Sequence, residues 1–377
     1  MAPSDLRRAA RRLGVPVLAS AALLAGMVLN TPGASAISQG TEAPAGSAPW
    51  MATLAFAGTD PLTRSGYCGG TLIAPDRVLT AGHCVLDKSP ADFQVYLGAD
   101  RLSRPRGAAH QVRGWFWHPG WRKIDTKDGT FAADDLAVVV LDQPVRGVRP
   151  ARIASPVEVS AAVAASGTGT VYGHGSTEQT TGMTDRLQQA TMKLLAPQQC
   201  APNVPQDSVG DNGFCVTGVP SGSGAAVPSI CPGDSGGPLL LTTAEGPEVA
   251  GVLSAQSGDG CDGSAHQGEF MNPADWRQQA LRPNPELAPT GTLRITGTAG
   301  QSLTAEVGGL TPASAQVGYE WFEEKDDGDG FKYNVPVEGA TNPSLPVSGD
   351  LVGKQLECIA TLTSPAGEVQ LKQSVHT

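Results

Sequence analysis

Cys231-Pro232-Gly233-Asp234-Ser235-Gly236-Gly237-Pro238 sets a serine between glycines and beside an aspartate, where a nucleophile can sit on a tight backbone turn. A serine hydroxyl is a poor nucleophile unless a base stands next to it. Two further segments supply what this one lacks. Leu79-Thr80-Ala81-Gly82-His83-Cys84 carries a histidine, and Asp135-Leu136-Ala137-Val138-Val139-Val140-Leu141 opens an apolar strand with an aspartate. A base, an orienting carboxylate and a nucleophile therefore occur in the chain order His83, Asp135, Ser235.

Three motifs in this order resemble the chymotrypsin-like serine peptidases, and the resemblance runs from Ile37 to Gln279. It implies an all-β fold of two six-stranded antiparallel β-barrels with the triad at their junction. It also assigns roles. Ser235 attacks a peptide carbonyl, His83 carries the proton, Asp135 holds the imidazole, and the N–H groups of Gly233 and Ser235 form the oxyanion hole. Asp134 competes with Asp135. Asp135 directly precedes the Leu-Ala pair, as in the family, and side chains alternate along a strand, so its neighbour should point elsewhere. His118 and His174 read as structural.

The composition agrees with this class. The 377 residues are 40% apolar and only 16% charged, with 47 Gly and 30 Pro, which describes a turn-rich all-β chain. The formal charge is −10, and no Lys/Arg run follows the N-terminus, which excludes nucleic acid as an expected partner. Arg7, Arg8, Arg11 and Arg12 precede a short apolar run and Ala34-Ser35-Ala36, so residues 1–36 read as a cleaved signal peptide. The mature protein is expected to be extracellular, with no membrane attachment and polypeptides as substrates. This chemistry needs neither metal nor cofactor.

Seven cysteines suit an oxidising compartment, and many pairings are open to them. The resemblance implies Cys68 with Cys84, Cys200 with Cys215 and Cys231 with Cys261, and it leaves Cys358 over, as a buried unpaired thiol or as a reactive or intermolecular one. It also gives the cleavage site a function. A cut after Ala36 exposes Ile37-Ser38-Gln39-Gly40, which matches the family's activated N-terminus, although Gln39 stands where Gly is usual. The new ammonium of Ile37 is expected to pair with Asp234.

The resemblance places the substrate pocket at Ser229, Ser254, Gln256 and Gly268. No carboxylate stands at Ser229, so the expectation is an uncharged pocket and cleavage after aromatic or aliphatic residues. The alternative is cleavage after Arg or Lys, with Asp259 or Asp262 reaching the pocket. A third reading keeps the fold as a catalytically silent binding protein.

Arg282-Pro283-Asn284-Pro285-Glu286-Leu287-Ala288-Pro289 reads as a stiff linker, which gives a peptidase domain over 37–282, a linker over 283–289 and a module over 290–377. Short strand-like runs between turns, with Tyr319-Glu320-Trp321 and Val352-Gly353-Lys354, resemble bacterial immunoglobulin-like modules, which implies a small β-sandwich with Trp321 in its core. The module either binds a polymer or cell surface or only spaces and stabilises the enzyme. Asp326-Asp327-Gly328-Asp329-Gly330 lacks full calcium-ligand spacing and reads as a solvated turn.

Overall fold

Apolar runs bounded by Gly, Pro and Asp become strands in the computed structural model. It describes residues 37–126, 129–176, 182–258, 261, 265–297, 301–326 and 332–377. Residues 1–36, Asp259, Asp262 and Asp327–Gly330 lie outside the described residues.

The first barrel uses β1 (Met51–Phe56), β2 (Gly66–Ala74), β3 (Arg77–Thr80), β4 (Phe93–Leu97), β5 (Val112–Trp117) and β6 (Ala137–Leu141). Their order is β4-β1-β2-β3-β6-β5, and a bridge between Val95 and His110 links the outer strands. Every residue of β6 is buried, as expected of a strand with neighbours on both sides and a core on each face. Its first residue follows Asp135 and Leu136, so this rigid strand fixes where the aspartate stands.

The second barrel uses β7 (Thr168–Gly173), β8 (Gln188–Leu195), β9 (Gly213–Gly218), β10 (Pro238–Thr243), β11 (Gly246–Gln256) and β12 (Gly268–Met271). The path β8-β7-β10-β11-β12-β9 closes through pairing of β8 with β9. The fold is thus all-β, with two six-stranded antiparallel barrels. Between them lies one helix that the apolar pattern did not announce, α1 (Pro156–Ala164). Its start is a capping box: Ser155 Oγ accepts from the Glu158 N–H, and the Glu158 carboxylate accepts from the Ser155 N–H.

The C-terminal strands are β13 (Thr290–Gly297), β14 (Ser302–Thr311), β15 (Gln316–Asp326), β16 (Lys332–Pro336), β17 (Ser344–Pro346), β18 (Gln355–Ser364) and β19 (Gly367–His376). They form sheets β13-β14-β17 and β16-β15-β18-β19. Leu293, Leu303, Ala305 and Leu345 of one sheet meet Trp321, Leu356, Cys358 and Ala360 of the other. Trp321 is 1% exposed, and its indole N–H donates to the Asn342 carbonyl at 3.0 Å. Cys358 is fully buried, and that burial pushes its thiol up to about 12, so it packs as a small apolar residue.

The segment before β13 packs as well as connects. Ala288 is buried and its N–H donates to the Trp115 carbonyl at 2.7 Å, while Leu287 lies over Gly114. Leu362 and Val369 join the apolar cluster of the first barrel. Lys372 reaches Asp87 at 3.2 Å. The outer face of β5 is therefore sealed by the C-terminal strands. Leu362→Ala should cost about 2–5 kcal/mol by emptying this joint, seen as a lower denaturation midpoint for the whole chain. An unchanged midpoint would mean the joint carries no stability.

Candidate active site

The three cysteine pairs form as the resemblance implied: Cys68–Cys84, Cys200–Cys215 and Cys231–Cys261. The first ties β2 to the 3₁₀ turn Gly82–Val85, which carries His83. The third ties the loop before Ser235 to the segment ahead of β12.

Asp135 is fully buried yet receives four hydrogen bonds. Its Oδ1 accepts the His83 backbone N–H at 2.8 Å and the Trp121 indole N–H at 3.2 Å. Its Oδ2 accepts His83 Nδ1–H at 2.6 Å and the Ser254 hydroxyl at 2.8 Å. Burial alone would raise the Asp135 pKa. The His83 charge and the hydrogen bonds outweigh it and hold the carboxyl below its ordinary value. For His83, burial works against the charged form, while Asp135 and its hydrogen bond favour it, and the net effect is a raised pKa. The stabilisation from this pair is thus complete below the ordinary imidazole value of 6.5 and is lost as pH rises through the folded value. A base at this position works only unprotonated. A plot of kcat/KM against pH should therefore rise through a midpoint above 6.5, and a midpoint below it would contradict this electrostatic arrangement.

Asp134 lies in a turn ahead of β6 with a left-handed φ of 46°, so its direction is set by that turn and not by strand alternation. Its carboxylate accepts from the Asn212 side-chain amide at 2.9 Å.

Ser235 sits in the turn between the second barrel's loop and β10. Its carbonyl accepts from the Gly69 N–H at 2.7 Å, and Gly236 lies against Thr80 and Ala81, two residues before His83. The structure thus brings this loop onto the strand that leads to the histidine. Among the described residues, Ser235 Oγ makes no hydrogen bond, and neither do the N–H groups of Gly233 and Ser235. Gly233 has φ +92°, which a side chain would strain, and which leaves its N–H free of the local turn.

Asp234 is buried at 2% exposure and accepts the N–H groups of Gly175 at 2.8 Å and Cys231 at 3.0 Å. Gly175 is required there, because an added Cβ would lie 2.6 Å from the carboxylate carbon. Burial pushes Asp234 up to about 7, with the two N–H groups only partly offsetting it. Ile37 is fully buried and lines one small cavity with Asp234. The Ser229 N–H donates to the Ser38 carbonyl at 2.9 Å, which holds this segment in place. Gln39 takes a left-handed φ of 58°, within a turn closed by Gly40 N–H to the Ile37 carbonyl at 2.7 Å.

Of the four expected pocket residues, Ser229 is buried, and its hydroxyl accepts the His266 N–H at 3.1 Å. Gly268 pairs with Gln256 across β12 and β11. Ser254 lies apart in role, since its hydroxyl holds Asp135. His174 is buried between the carbonyls of Ala99 at 2.9 Å and Thr184 at 3.1 Å, a structural position.

Trp121 was not legible as part of the site. Its indole N–H completes the hold on Asp135, while Trp117 donates to the Gly82 carbonyl at 3.1 Å and steadies the histidine turn. Trp121→Phe should cost about 1.5–3 kcal/mol of that hold. The expected result is a roughly tenfold or greater fall in kcat with KM little changed. A fall in KM alone would deny Trp121 this role.

The Trypsin family model matches residues 37–275. A protein described as trypsin from Saccharopolyspora erythraea is 31% identical over 202 residues, covering 52% of this chain and 77% of that protein. Chymotrypsin-like elastase family member 3B of Macaca mulatta is 28% identical over 264 residues, 66% of this chain and 94% of its own. The vitellin-degrading protease of Bombyx mori is 29% identical over 234 residues, 61% and 79% of the two chains. With the matched segment covering more than half of the chain and both barrels in place, the chain belongs to the trypsin family of serine endopeptidases.

Proposed function

We propose that this is a secreted endopeptidase that cuts polypeptides through an acyl-enzyme, with Ser235 as nucleophile, His83 as general base and then acid, and Asp135 as the orienting carboxylate. The observation that carries the reading is the buried Asp135 carboxylate bonded to His83 Nδ1 at 2.6 Å, with the Ser235 carbonyl held by the Gly69 N–H at 2.7 Å so that its loop lies on the segment that leads to His83. In the first step Ser235 Oγ bonds to the substrate carbonyl carbon while its proton passes to His83 Nε2. The unpaired N–H groups of Gly233 and Ser235 are free to receive the oxyanion. His83 then protonates the leaving amine, and water repeats the sequence to release the acid.

Secretion is supported by the leader-like residues 1–36 and the three disulfides, and no helix among the described residues is long and apolar enough to cross a membrane. On this reading the peptidase spans 37–282, the connecting segment 283–289 and the module 290–377. The primary pocket is read as uncharged, favouring aromatic or aliphatic residues, because the Ser229 hydroxyl is engaged by the His266 backbone and Ile230 beside it is apolar.

Digestion of a mixed peptide library, with Ser235→Ala as control, tests this. New termini after aromatic or aliphatic residues that vanish in the control are expected. Cuts after Arg or Lys would overturn the pocket reading alone. Absence of any cut by a chain verified to begin at Ile37 would favour a silent binding protein.

A further inference from the structure

Glu269 on β12 is fully buried although it carries a carboxylate. Its neighbour Phe270 lies in the core of the second barrel. Alternation therefore puts Glu269 on the opposite face, together with the residues directly across from it, Ala255 on β11 and Cys215 on β9. That face is covered by α2 (Gln206–Val209), which packs on β12 and on the hairpin strand Gly129–Ala133; the same hairpin strand also packs on β11. Val209 of α2 packs there with Cys215, and Ala255 offers only a methyl group beside Glu269.

Among the described residues, neither carboxylate oxygen of Glu269 has a partner within hydrogen-bond distance. The hydroxyl of nearby Ser208 donates to the Pro205 carbonyl at 2.8 Å and offsets the burial of Glu269 only in part. A buried polar group without a partner is costly and rare, and it calls for an explanation. Ala255 itself is partly exposed and follows Ser254, which holds Asp135 at 2.8 Å. The orphan carboxylate thus lies behind a methyl group on the strand that borders the reacting centre. Among the described residues, the cations of the covering hairpin are engaged elsewhere: the Arg122 guanidinium donates to the Asp207 carbonyl of α2 at 3.3 Å, and Lys123 pairs with Asp125 at 3.0 Å. The hairpin strand Gly129–Ala133 and β9 contribute no ionisable side chain, α2 contributes Asp207, the turn after the hairpin contributes Asp134 and Asp135, and Glu248 at the far end of β11 is held by Arg152 at 3.0 Å.

Resting on the serine endopeptidase reading, we propose that Glu269 is the specificity residue of a second substrate subsite, which takes the ammonium or guanidinium of a Lys or Arg lying among the three substrate residues before the one in the primary pocket. An arriving cation supplies the missing partner, and the acid gives up its proton to solvent as the ion pair forms. Burial, with Asp135 adding to it and Ser208 offsetting, pushes free Glu269 up to about 8, so at pH 7 it is mostly the protonated acid. Binding of the cation should then release roughly one proton, a signature that a merely structural glutamate would not give.

The test compares peptides carrying Lys at each of those three positions with their norleucine counterparts. Binding to the Ser235→Ala chain is measured by calorimetry in buffers of different ionisation heat. At one position the Lys peptide should bind about tenfold tighter or better, with proton release. Ser235→Ala/Glu269→Gln should abolish both effects and leave norleucine peptides within about twofold. Ala255→Leu, which keeps the carboxylate but fills the approach, should also remove the preference, so the proposal does not depend on how well Glu269→Gln folds. Equal binding of Lys and norleucine peptides at all three positions, or a preference that survives Glu269→Gln, would overturn it. Labelling of Ser235 by a fluorophosphonate in the unsubstituted chain reads the parent proposal separately. A labelled chain without Lys preference loses the subsite alone, and an unlabelled chain with Lys preference loses the peptidase reading alone.

Discussion

Replacing Ser235 with alanine is expected to lower kcat by about 10⁶-fold. The hydroxyl oxygen is the atom that forms the new bond, and no nearby group can take its place. His83→Ala should cost as much, because the two act as a unit, whereas Asp135→Asn should cost about 10⁴-fold by leaving the imidazole in the wrong tautomer. Ser235 Oγ makes no hydrogen bond among the described residues, so its removal should change stability by less than about 0.5 kcal/mol. Steady-state kinetics on a peptide ester, fluorophosphonate labelling and a melting curve check the three parts. A Ser235→Ala chain retaining activity within tenfold of the parent would sink the proposed nucleophile.

What could be read in advance was set by local rules. The apolar run after Asp135 is a strand because β-branched residues fit a pleated, doubly covered surface, and its buried observed course over Ala137–Leu141 follows directly. Gly233 stood out in the sequence as a position where the backbone must take a turn costly for other residues, and its φ of +92° is such a conformation. By contrast, the helix Pro156–Ala164 left no apolar stripe, since only Val159 is buried along it. Its signal was the Ser155-Pro156-Val157-Glu158 capping box, which is local and was present in the sequence.

Other features depend on contacts between distant residues. Ser254 was read as a pocket wall by position. A bulge between Leu253 and Ala255 breaks the simple alternation there, and its hydroxyl meets Asp135 across 119 positions. Trp121 reaches the same carboxylate from a loop with no periodicity to mark it. The Pro-rich 283–289 segment reads as a spacer because proline stiffens a chain. Leu287 and Ala288 within it are the residues that pack on β5. Side-chain partners that arise only when two barrels and a sandwich close on one another leave no pattern at short range.

A chain starting at Ala36 is expected to be roughly 10²- to 10³-fold less active than one starting at Ile37. In the longer chain the Ile37 nitrogen is an amide, so Asp234 is buried with two N–H donors and no cation. Leaving such a carboxylate unpaired costs about 3–5 kcal/mol. The sign of the pH effect follows from its raised pKa. The folded longer chain holds a proton that the unfolded chain has lost, so its stability should fall as pH rises from about 4 to about 7, by on the order of 4 kcal/mol in total. Starting the chain at Ile37 puts an ammonium in that cavity. The ion pair holds Asp234 ionised, and the acid-side loss should disappear. The ammonium's own pKa is raised in turn, so its support is complete below about 8 and is lost above that as it deprotonates. Denaturation midpoints across pH for two chains with termini verified by mass, together with their kcat/KM, separate the cases. Equal activity and parallel pH curves would detach Asp234 from activation. The expected divergence would make removal of the leader the step that arms the Ser235 loop, because the cut that parts the exported chain from its leader also delivers the charge that the buried carboxylate lacks.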